Sequence, residues 1–149
     1  MNVNVKIARV AGLLYLVYIV LQSGADIIGR AKIIVLGDAA ATASNILASA
    51  AQFRIGYVMD LLAAVLFLVT AWALYLLLKP VNANVALLFL LLNATGVAIQ
   101  CSSNLFLPAS QLLVSGAEFT RVWPADQRQA LAMGLLYLYK NGWMIAQIF

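Results

Sequence analysis

No histidine occurs in this sequence, and cysteine occurs once, at Cys101. The first absence removes the commonest ligand for zinc and haem and the commonest general base near neutral pH. The second excludes an internal disulfide and says nothing of redox compartment. Ser102 and Ser103, next to Cys101, have no imidazole to activate them. No phosphate-cradling loop and no metal-ligand spacing is present. Catalysis, a cofactor and a metal are therefore not expected. Charge is scarce too. Asp, Glu, Lys and Arg make up 9% of the chain, against ~25% in soluble domains. The nine cations exceed the five anions, but they are scattered. Nucleic-acid binding needs a basic stripe, so it is not expected. Scattered cations suit the flanks of membrane spans, where they meet anionic lipid head groups.

Apolar residues supply 65% of the chain, and the mean hydropathy is +0.99. A chain of 149 residues with this composition has too little polar surface to cover a globule in water. The bilayer is the partner that removes the difficulty. About twenty apolar residues cross a bilayer core, and four stretches approach that length: 8–28, 55–78, 85–107 and 124–149. Their continuous apolar runs argue against a β-barrel, whose strands alternate. The expected fold is an all-α integral membrane bundle forming one domain over residues 1–149. Pro80 and the asparagines of "KPVNAN" end one helix and cap the next, so spans two and three form an antiparallel hairpin. Residues 38–52 read as a short amphipathic helix capped by Asp38. Its apolar face holds Ala43, Ile46, Leu47, Ala50 and Phe53; its polar face holds Thr42, Asn45, Ser49 and Gln52. It lies at the interface or folds over the mouth of the bundle.

Polar side chains are expensive in lipid, so their angular positions carry information. At about 100° per residue, Tyr15, Gln22 and Asp26 share a line on span one. Asn93, Gln100, Asn104 and Gln111 share one on span three. Asp60 aligns with Ala64, Phe67 and Ala71, where Phe67 is expected to hold a neighbour off. The alternation of the spans puts Asp60, Asp26, Gln22, Tyr57, Gln100, Ser103 and Asn104 in one half of the bilayer. Arg54 stands at its rim, with Arg121 and Arg128. Lys140, Asn141 and Asn93 fall in the opposite half. A polar vestibule is expected, with Asp60 at its mouth in the first turns of a helix. Such a site suits a small cation or a polar small molecule. The competing expectation is structural: Asp60 pairs with Arg54 or Arg30, and the amides bond between helices. The protein is then a non-catalytic subunit whose polar face packs on a membrane partner or on its own copy.

Ala130 and Gly134 form a small-xxx-small pair, a feature of close helix contacts in membranes. Lys6 and Arg9 ahead of the first run, with Ser23-Gly24-Ala25 after it, have the outline of a signal peptide. The later runs need a membrane in any case, and a first span is its own insertion signal. The count of basic residues around the spans leaves the orientation open. "NGWMIAQIF" stops inside an apolar stretch, so a natural protein continuing beyond Phe149 is expected.

"KIARVAGLLYLVYIV", "VLGDAAATASNILASAAQFRIGYVMDLL", "ALYLLLKPVNANVALL" and "LYKNGWMIAQIF" together resemble a bacterial multi-pass family, the domain of unknown function 4386 family. The most specific features are Gly37-Asp38 with Thr42 and Asn45-Ile46, the spacing of Phe53-Arg54 to Asp60, and the turn Leu78-Lys79-Pro80-Val81-Asn82. The resemblance implies an integral protein of the bacterial cytoplasmic membrane. It implies no catalytic residue.

Overall fold

The computed structural model describes residues 3–149. Six α-helices follow one another: α1 (Val3–Gly29), α2 (Ala39–Ala48), α3 (Ala50–Leu78), α4 (Ala83–Asn104), α5 (Phe106–Val114) and α6 (Ala125–Ala146), with a 3-10 turn at Glu118–Thr120. No strand occurs among the described residues. The all-α expectation holds. Three stretches are long and apolar enough to cross a membrane: Asn4–Gly29, Ala50–Leu78 and the run Ala83–Val114. The stretch expected as a fourth span forms α6, which carries Asp126 and Arg128 at its head and Lys140-Asn141 within it.

Local chemistry sets the boundaries. Asp38 caps α2, its carboxylate accepting from the Ala41 N–H at 2.8 Å. Gly37 precedes it at φ +84, a left-handed turn that glycine adopts at little cost. Asn82 caps α4 by accepting from the N–H groups of Asn84 and Val85, both at 3.1 Å. The turn holding Pro80 separates α3 from α4, as expected. The helical run Ala83–Val114 continues past the anticipated end at residue 107, broken only at Leu105, between α4 and α5. Pro108 explains the break, since it has no N–H for the carbonyl four residues back.

Packing is inside-out relative to a soluble protein. Leu13, Leu16, Val20, Val65, Leu88 and Leu91 are exposed, while Ala25, Ala63, Ala64, Ala71 and Ala86 are buried between helices. Small residues inside let helix backbones approach, and large apolar residues outside suit lipid. α1 packs on α3, α3 on α4, and α6 on α4 and α5. A Cβ on Gly56 would stand 2.7 Å from the Gly29 Cα, so only glycine fits at that α1–α3 contact. Phe67 does not hold α1 away: its ring meets Tyr18 at 4.9 Å, and Ala64 and Ala71 beside it are buried. Ala130–Gly134 is not a close contact, because the space beside Gly134 is open.

Among the described residues, a core of large buried side chains forms at one end. Ile33, Ile46, Phe53, Leu107, Leu136 and Tyr139 form it. α2 supplies Ile46 and lies against α6, α5 and α3, so it folds over the bundle. Its polar face is not simply solvated. The Thr42 hydroxyl donates to the Val35 carbonyl and accepts from the Val35 N–H, each at 3.0 Å, and Asn45 donates to the Ile33 carbonyl at 3.2 Å. These two polar residues anchor the segment that follows α1, because its backbone groups have no helical partners.

Candidate functional site

α1 and the residue that follows it place Gln22, Asp26 and Arg30 four residues apart, so they follow one another along one side. α3 brings Asp60 to this row. The Arg30 guanidinium donates to both Asp60 oxygens, from Nη1 to Oδ2 and from Nη2 to Oδ1 at 3.2 Å. Its Nε donates to Asp26 Oδ1 at 3.3 Å. Gln22 Nε2 donates to Asp60 Oδ1 at 3.0 Å, and Gln100 Nε2 on α4 donates to Gln22 Oε1 at 3.2 Å. The Tyr139 ring on α6 lies 5.4 Å from the Arg30 guanidinium carbon. Four helices thus meet at one ion pair. Arg30 is 6% exposed and Asp60 1%. A buried charge needs a partner of opposite sign and hydrogen bonds to its remaining valences, and each member here has both.

Of the residues singled out in the sequence, Asp60, Asp26, Gln22 and Gln100 belong to this network. Tyr57 does not. It packs edge-on to Phe53 with ring centroids 6.4 Å apart. Arg54 turns to Gln111 Oε1 at 3.3 Å, and Gln111 in turn donates to the Ala50 carbonyl at 3.3 Å. Ser103 donates to the Ile99 carbonyl of its own helix at 2.8 Å. Asn104 is buried with neither amide atom hydrogen-bonded.

Asp60 does not head its helix. α3 begins at Ala50, so the carboxylate lies about three turns in, covered by Arg30. The open space lies on the other side of that guanidinium. A cleft of about 530 Å³ runs between α1, the α1–α2 connection and α6. Gln22, Ser23, Asp26 and Arg30 line its α1 wall; Leu136, Tyr137, Tyr139, Lys140 and Trp143 line its α6 wall. Asp60, Tyr57, Arg54, Gln100, Ser103 and Asn104 are absent from these walls. Gln100 instead borders a second, smaller hollow of about 100 Å³ with Tyr18, Phe67 and Gly96.

Lys140 is the main displacement from expectation. It faces the same cleft as Asp26, not the opposite half of the bundle. The cause is the length of the run through α4 and α5, which carries the chain farther out before α6 turns back. Tyr139 has therefore only reached the level of Arg30. Two contacts fix the antiparallel register of α6 on α4. A Cβ on Gly142 would lie 2.9 Å from the Ser103 Cβ, and one on Gly96 would lie 2.9 Å from the Ala146 carbonyl oxygen.

Two participants escaped the sequence reading as members of one site. Arg30 appeared there only as one of two alternative partners for Asp60, although the four-residue step from Gln22 through Asp26 to Arg30 places all three in one row. Tyr139 had no signal of its own, since an aromatic in an apolar helix reads as packing.

Chemically, the arrangement offers a carboxylate whose side chain is 70% exposed, Asp26, beside a neutralised, buried pair. Among the described residues no group of three or more acidic or thiol ligands is placed to hold a metal. No curated protein and no solved structure matches the chain. A family model does: residues 10–149 match the one described as a domain of unknown function, DUF4386, and the chain belongs to that family.

Proposed function

We propose that this is a multi-pass protein of the bacterial cytoplasmic membrane, with α6 as its fourth membrane helix, that binds a small cation or polar small molecule in the polar half of the bundle. The observation that carries this reading is the 530 Å³ cleft with the exposed Asp26 carboxylate on its wall. Its size falls within the range of small-molecule sites. Asp26 and Gln22 are the direct contacts in this reading. Asp60 acts behind them as a positioning residue that holds Arg30 and Gln22, and Gln100 steadies Gln22. The support is physical: an intramembrane carboxylate is expensive unless something uses it.

The test places a cysteine at Ser23, an exposed cleft residue, after Cys101→Ala. A water-soluble maleimide is expected to label it, and millimolar ethanolamine or sodium is expected to slow labelling. Labelling that no alkali cation or small amine slows counts against the reading.

A second reading has its own observation. Asp60 is saturated by Arg30 and Gln22, as a purely structural residue would be. On that view the protein is a non-catalytic interaction subunit, and the polar row packs against a membrane partner or a second copy. Absence of labelling at Ser23→Cys in the native membrane, with labelling in the purified protein, favours it.

A further inference from the structure

We propose that the cleft takes an amphiphile whose head carries both an ammonium and a phosphate, the ammonium on Asp26 and the phosphate on Lys140. This rests on the reading above, that the cleft binds a small cation or polar small molecule, and names the class. Three observations support it. First, the exposed charge on the walls is of two signs. Arg30 is consumed by Asp60 and Asp26. Asp26 remains mostly exposed, and Lys140 is exposed and enters no ion pair among the described residues. A carboxylate and an ammonium that share a cleft without pairing match a ligand whose own charges are separated.

Second, α1 and α6 both line the cleft without packing broadly on each other. α1 packs on α3, and α6 packs on α4 and α5. The two walls meet through Arg30 and Tyr139, and Ile33 beyond α1 packs in one core with Leu136 and Tyr139 of α6. In the membrane-embedded reading a gap between α1 and α6 faces lipid, which favours a ligand that arrives laterally. Third, the walls divide by polarity. Proceeding into the bundle from Lys140, α6 presents Trp143 and Met144 to the cleft, a wide apolar surface for a hydrocarbon chain. Asp26, Arg30 and Lys140 line this same groove, where a head group would be held.

The experiment is native mass spectrometry of the full chain in detergent with four probes. These are lysophosphatidylethanolamine, lysophosphatidylglycerol, lysophosphatidylcholine and chain-free glycerophosphoethanolamine. Lysophosphatidylethanolamine is expected to bind about tenfold more tightly than lysophosphatidylglycerol, the worth of a charge-assisted hydrogen bond. Lysophosphatidylcholine, with no N–H to donate, is expected to follow the glycerol lipid. Asp26→Asn is expected to erase the preference. Lys140→Gln is expected to weaken both the ethanolamine and the glycerol lipid about tenfold and leave their ratio unchanged. Ser23→Trp, which fills the groove without altering charge, is expected to weaken every lipid and controls for misfolding at the charged positions. Equal binding of all three lipids, or a preference that survives Asp26→Asn, overturns the proposal. Equal binding of glycerophosphoethanolamine and its lipid overturns the amphiphile and assigns the cleft to a soluble head group. If ethanolamine slows labelling at Ser23→Cys yet no lipid preference exists, this inference fails and the broader reading stands. If neither occurs, both fail.

Discussion

Gly29 and Gly56 meet backbone to backbone: a Cβ built on either would collide with the Cα of the other. This contact brings α1 against α3 one residue before Arg30, and so sets the reach of the guanidinium to Asp60. Gly29→Ala and Gly56→Ala each force the helices apart and are expected to lose about 1–3 kcal/mol of stability. Gly12→Ala and Gly134→Ala place the new methyl in open space. They are expected to gain about 0.5–1 kcal/mol, because alanine loses less backbone entropy in a helix. Thermal unfolding of the four variants in one detergent checks the contrast.

Gln22 is the bridge between α4 and the ion pair. It accepts from Gln100 and donates to Asp60. Interhelical side-chain hydrogen bonds in membranes contribute about 0.6 kcal/mol each. A double-mutant cycle with Gln22→Leu and Gln100→Leu is therefore expected to give a coupling near that value, read from unfolding midpoints. A coupling above about 2 kcal/mol would show that the two amides do more than brace one another.

Asp38 caps α2, and α2 covers the large-residue core through Ile46. Asp38→Ala is expected to cost about 1 kcal/mol. The loss is local, so amide exchange is expected to quicken in α2 before it changes in α3. Uniform quickening across both helices would contradict the idea that α2 is a separately held cover.

Much of this was legible in the sequence. The apolar runs, the Asp38 and Asn82 caps and the convergence of Gln22, Asp60 and Gln100 follow from periodicity and the alternation of spans. What periodicity does not carry is depth. Lys140 was misplaced because the run through α4 and α5 outlasts its most apolar portion, and Pro108 breaks that run without ending it. The position of α6 along α4 depends on Gly142 against Ser103 and Gly96 against Ala146, pairings between distant residues that no local pattern encodes. Nor does helical spacing say whether a polar row lines a cavity or closes on itself. Here it does both. Asp60 is sealed in the interior and Asp26, on the same network, is open to the cleft. Arg30 lies between them, and its partner was decided by the glycine contact, which single-helix reading does not see.

The buried Arg30–Asp60 pair ties the end of α1 to α3, and Arg30 alone of the two lines the cleft. The most direct measurement of this tie is a double-mutant cycle with Arg30→Gln and Asp60→Asn, followed by unfolding in detergent. Arg30→Gln strands the buried Asp60 carboxylate and is expected to lose about 3–5 kcal/mol; Asp60→Asn leaves Arg30 its bond to Asp26 and is expected to lose less, while the double change, which strands no buried charge, is expected to lose much less than the sum of the two. Strictly additive losses, or an Asp60→Asn protein within about 0.5 kcal/mol of the parent, would contradict the account.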